Sequence, residues 1–118
     1  MALVAEEQLT ALCVKAGKPN VLIRIACREL EAWFMGDLHS VGKEFKRPNL
    51  SSLAAKKKYR SPDTMHKPSD ELARLVPGYR KVSGARLMGK TIPLDGSRSH
   101  SFRVFVSGIR RIVEEANL

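Results

Sequence analysis

Apolar residues recur at helical spacing near both ends of the chain. Leu9, Leu12, Cys13 and Ala16 predict a helix over residues 3–16, with Glu6 and Glu7 in its favoured first turn. Gly17-Lys-Pro19 ends it, because glycine accepts the left-handed conformation and proline cannot continue the helix. At the other end, Phe102, Phe105, Val106, Ile109, Ile112 and Val113 fall within an arc of about 120°. Arg103, Ser107, Arg110, Arg111 and Glu114 face the other way. Ser97 or Ser99 can cap this last helix by accepting a bond from a free backbone N–H.

The interior is less regular. Residues 20–26, Asn-Val-Leu-Ile-Arg-Ile-Ala, form a short β-rich run bounded by turn residues and predict a strand. A second helix is expected over about residues 28–37, weakened at Gly36 and resuming over 41–45. Residues 46–68 read as a long basic loop with at most short helical turns, interrupted by Pro48, Pro62 and Pro68. Ser69 is the expected N-cap of a short helix that ends at Pro77-Gly78. A further helix over 79–88 carries Lys81, and residues 91–94 are the candidate second strand. A lone strand cannot satisfy its own backbone groups. The pattern therefore predicts one helix-rich α/β domain over residues 1–118, with a fragment of parallel sheet completed by another chain or by an N-terminal portion.

Within the second helix, Glu31 falls among Cys27, Leu30, Phe34, Met35 and Leu38, while Glu29 falls on the polar side. A buried carboxylate is costly unless a cation, hydrogen bonds or a metal meets it. Arg24, Arg28 and Lys81 are the candidate partners, and Glu31 is the one candidate for a catalytic or metal-ligating carboxylate.

Composition sharpens this picture. The 118 residues are 43% hydrophobic, as a globular chain should be. No apolar run approaches the ~20 residues of a membrane span, and the start lacks the pattern of a signal peptide. Two cysteines, Cys13 and Cys27, are too few for a disulfide framework, so a cytoplasmic setting is expected. The net charge is +9, concentrated in two segments. Residues 42–60 carry Lys43, Lys46, Arg47, Lys56, Lys57, Lys58 and Arg60 against Glu44. Residues 78–111 carry Arg80, Lys81, Arg86, Lys90, Arg98, Arg103, Arg110 and Arg111 against Asp95. Such an excess favours polyanionic partners, nucleic acid first. Aromatic residues are only 6% and do not alternate with the basic ones, so phosphate contact is expected rather than base stacking.

Lys81 and Arg86 are candidate phosphate contacts, as point charge and fork respectively. The stretch Ser97-Arg-Ser-His-Ser101 precedes a helix N-terminus, where free N–H groups and the macrodipole favour anions. Arg98, Ser99, His100 and Ser101 are thus the remaining phosphate-binding candidates. His39, His66 and His100 have no zinc-ligand spacing, and no P-loop, dinucleotide-binding or nucleophile-elbow pattern occurs.

The segments Arg24-Ile-Ala-Cys-Arg-Glu-Leu-Glu-Ala-Trp33 with Gly36-Asp37, Lys81-Val-Ser-Gly-Ala-Arg86 and Ser97-Arg-Ser-His-Ser-Phe102 carry a family resemblance. In order and approximate spacing the chain resembles the C-terminal part of an uncharacterised bacterial family, the domain of unknown function numbered 4276. That family is similar to TOPRIM-type nucleases, some encoded beside ATPases in phage-defence loci. The resemblance implies a parallel-sheet fold, an ATPase partner, and Mg2+ or Mn2+ held with Glu31 in a site completed by further carboxylates. The strand-end glutamate and Asp-x-Asp motif of longer members have no counterpart here. The expectation is therefore a chain that binds nucleic acid without cutting it alone and that needs no cofactor by itself. The alternative is a protein-interaction module whose unpaired strand edge joins a second copy as a homodimer.

Overall fold

A computed structural model describes residues 2–23 and 29–116. Among these residues there are seven α-helices: α1 (Ala2–Lys15), α2 (Glu31–Met35), α3 (Leu38–Glu44), α4 (Leu50–Leu53), α5 (Pro68–Leu75), α6 (Lys81–Thr91) and α7 (His100–Ala116). Two single 3₁₀ turns, Lys57–Tyr59 and Pro62–Thr64, lie between α4 and α5. No strand occurs among the described residues, so the expected α/β fold with a parallel sheet fragment is replaced by an all-helical one. No described helix is long and apolar enough to cross a membrane.

The chain divides into two compact units, residues 26–103 and residues 1–25 with 104–118. In the second unit, the expected strand over residues 20–26 is irregular at 20–23; residues 24–26 lie outside the described residues. Leu22 packs on a helix instead of pairing in a ladder. A Cβ at Gly108 of α7 would come within 2.8 Å of Leu22 Cδ1, so the Leu22 side chain lies directly over this glycine. The weaker strand candidate fails for a simpler reason: Thr91 closes α6, and Ile92 is its C-cap. Large apolar side chains stay exposed in this unit, Leu12 at 62%, Val14 at 54% and Val113 at 51%.

The unit of residues 26–103 holds the core. Phe34, Met35, Leu38, Val41, Leu50, Tyr59, Leu72, Val76 and Met88 form one buried cluster drawn from α2 to α6. Each such side chain contributes about 1.5–3 kcal/mol by leaving water. The second helix breaks at Gly36-Asp37 because Asp37 caps a new one. Its carboxylate accepts from Ser40 N (3.1 Å) and Ser40 Oγ (2.9 Å) at the start of α3. Helix α5 starts two residues earlier than expected. Pro68 takes the first helical position, where its missing N–H costs nothing. Ser69 is inside the helix rather than its cap. The capping acceptor is the distant Glu29, bonded by Ser69 N (3.0 Å) and Ser69 Oγ (2.5 Å).

Candidate phosphate-binding site

The segment before α7 is fixed from three sides. Arg98 N donates to Gly36 O (2.9 Å), and a Cβ at Gly36 would meet Ser97 Oγ at 2.7 Å and Ser99 N at 2.9 Å. Only glycine allows this close crossing. Ser99 is the N-cap of α7: its hydroxyl accepts from Phe102 N (3.1 Å) and donates to Asp63 Oδ1 (2.6 Å). Asp63 Oδ2 accepts from Ser101 N (3.0 Å). Trp33 Nε1 donates to Ser101 Oγ (2.9 Å), and the Trp33 ring meets Phe102 edge-on at 5.5 Å. The helix N-terminus expected to attract a phosphate thus already holds a carboxylate of its own chain, and Ser99 is fully buried.

Beside this locked segment, Arg60, Arg98 and Arg103 line an open pocket of about 540 Å³ with Ala55. Each guanidinium is tethered by one N–H to a main-chain carbonyl. Arg60 Nε donates to Ala55 O (3.1 Å), Arg98 Nη1 to Ala54 O, and Arg103 Nη1 to Ser97 O (2.8 Å). A guanidinium has five N–H donors, so most of each remains available. Among the described residues no carboxylate pairs with any of the three.

The loop bearing Arg60 is anchored from its other side. Glu71 Oε1 accepts from Tyr59 Oη (2.6 Å), Lys58 Nζ (3.0 Å) and Arg74 Nη2, and Arg74 also donates to Tyr59 Oη (2.9 Å). Burial alone would raise the Glu71 carboxyl, but the bonds from Arg74, Tyr59 and Lys58 outweigh it and hold it down at about 2. Burial, with Glu71 beside it, pushes the Tyr59 phenol up.

The other candidates lie apart from this pocket. Lys81 is paired with Glu29 (3.3 Å), whose carboxyl is held below its ordinary range chiefly by Ser69, then by Lys81. Arg86 is exposed on α6, and His100 is exposed at the first residue of α7. Glu31 is buried as its position on the wheel demands, at 5% exposure. Lys81, one of its expected partners, pairs with Glu29 instead. No hydrogen bond or ion pair reaches Glu31 among the described residues. The partly buried Tyr79, whose hydroxyl is fully buried without a partner among the described residues, is pushed up to about 12, first by burial and then by the Glu31 charge. Arg24 and Arg28, its other expected partners, lie outside the described residues.

A metal centre does not fit these side chains. Asp37, the nearest carboxylate in sequence to Glu31 on its C-terminal side, is spent on the α3 cap. Among the described residues no group of three or more His, Cys, Asp or Glu gathers that could hold a metal ion. Sequence reasoning missed Arg60, Arg103 and Asp63 as members of the site. The two arginines were visible as charge and Asp63 as a turn former. Nothing in their spacing said that they would meet around Arg98.

A helix-rich, strongly basic protein with an arginine-lined pocket is the class these features define. The chain belongs to the domain of unknown function family DUF4276, whose model matches residues 2–110. No curated protein and no solved structure matches it.

Proposed function

We propose that this protein binds the phosphate backbone of nucleic acid through the pocket of Arg60, Arg98 and Arg103. The observation that carries this reading is three guanidinium groups on one open pocket, tethered to main-chain carbonyls and paired with no described carboxylate. Tethering removes much of the rotamer entropy that a flexible arginine loses on binding. The exposed Lys56 and Lys57 precede Arg60 in the same loop and extend the positive surface. The pocket lining contains no aromatic ring, which suits contact with phosphates rather than stacked bases.

The test is the salt dependence of DNA and RNA affinity. Log affinity should fall linearly with log salt, and Arg98→Ala should reduce the slope by about one. An unchanged slope removes Arg98 from the contact, and no binding at low salt ends the reading altogether.

A second reading, a protein-interaction module, is favoured by the exposed Leu12, Val14, Ile112 and Val113. A monomeric mass in sedimentation at high protein concentration rules out its self-associating form.

A further inference from the structure

The pocket offers more positive charge than an internal phosphodiester asks for. A diester carries one negative charge and two non-bridging oxygens. A terminal phosphomonoester carries about −1.5 to −2 at neutral pH and three strongly accepting oxygens. The donors left over match the second kind of ligand. Arg60 uses Nε on Ala55 O, which leaves both terminal nitrogens as an end-on fork. Arg98 and Arg103 each use Nη1, which leaves Nε and Nη2 as side-on forks. Forks of this kind bind phosphate oxygens in pairs. Three forks around one pocket suit three oxygens, and a terminal phosphate plus its first diester nearly balances three guanidinium charges. A surface that tracks an internal backbone instead spaces its cations along the strand.

We infer that the pocket of Arg60, Arg98 and Arg103 grips the terminal phosphate of a nucleic-acid strand. This rests on the nucleic-acid reading above and adds that a strand end is the preferred ligand. Bases do not enter the pocket, so the preference is independent of sequence. Lys56 and Lys57 are placed in the same loop to meet the diesters that follow.

The experiment measures binding of the full chain to short strands of one sequence carrying a 5′-phosphate, a 3′-phosphate or hydroxyl at both ends, at physiological salt. One phosphorylated end should bind at least about tenfold more tightly than the hydroxyl-ended strand, a difference of 1.4 kcal/mol. Inorganic phosphate should erase that difference. Arg60→Gln should also erase it, lowering affinity for the phosphorylated strand by more than for the hydroxyl-ended strand. Arg98→Lys, which keeps the charge and loses the fork, is a second variant with the same expected loss of preference and little effect on folding. Equal affinity for all three strands overturns the terminal-phosphate assignment and leaves the backbone reading standing. Failure to bind any strand overturns both. A phosphoserine peptide of matched charge that binds more tightly than any strand overturns the assignment in favour of a protein ligand.

Discussion

The N-terminus of α7 and the arginine pocket beside it are both places where an anion is favoured, yet the chain treats them in opposite ways. At the helix end, Ser99 Oγ accepts from Phe102 N and Asp63 Oδ2 from Ser101 N, so the free donors are met internally. In the pocket, each arginine is steadied by one carbonyl and left without a carboxylate among the described residues. The first arrangement is structural and the second is open for a ligand. Positive potential alone does not mark a binding site; the donors must also be left unmet and within reach of solvent. The two regions also depend on each other, since the capped segment 97–102 sets where Arg98 and Arg103 stand.

The largest effect should come from breaking the filled side of this pair. Asp63→Ala leaves the buried Ser99 hydroxyl without its acceptor and removes the bond that Asp63 accepts from Ser101 N. The cost should be about 3 kcal/mol of stability, combining a lost cap with an unsatisfied buried donor. Denaturant unfolding measures it. A loss under about 1 kcal/mol would mean that Asp63 does not hold this segment.

A smaller effect is expected at the other wall of the pocket, where Glu71 ties down the loop that carries Arg60. Glu71→Gln should cost roughly 2 kcal/mol near neutral pH, allowing for the exposed Lys58 and Arg74 side chains. The pH dependence has a definite sign. The folded carboxyl titrates at about 2, below its ordinary value of 4.5. Its contribution is therefore fully present above pH 4.5 and is lost as pH falls from there toward 2. The stability gap between the natural chain and Glu71→Gln should stay constant from neutral pH down to that point and then narrow. A gap that widens in acid would contradict the network.

Some of this was legible in the residues and some was not. The helical spacing of Phe102, Phe105 and Val106 fixed α7, and the serine before it predicted the cap. The burial of Glu31 also followed from its angle on the wheel. The strand failed at residues 20–23 because an apolar side chain of a β-rich run can also pack on a helix. Leu22 does so over Gly108, and local propensity cannot see that choice. Lys81 meets Glu29 rather than Glu31 for a related reason. The wheel assumed one continuous helix from residue 28, but α2 starts at Glu31, which frees Glu29 to cap α5. The pocket was illegible because Arg60 and Arg98 are far apart in sequence. Their meeting depends on Gly36 and Asp63, residues that look like punctuation.

The smallest effect tests whether an unmet donor matters when solvent cannot reach it. Tyr79 Oη is buried with no hydrogen-bond partner among the described residues, and its ring packs edge-on against Phe45 at 5.9 Å. Removing a buried hydroxyl that makes a good bond usually costs about 1 kcal/mol, because the partner is stranded. Here nothing is stranded, and desolvation of the hydroxyl is relieved while the ring contacts persist. Tyr79→Phe should therefore change stability by no more than about 0.5 kcal/mol, in the stabilising direction. The titration seen in tyrosine absorbance should lose its component at about 12. A destabilisation above about 1 kcal/mol would reveal a partner for that hydroxyl. Glu31, whose charge raises the same phenol, would then be the first residue to replace in a double-mutant cycle.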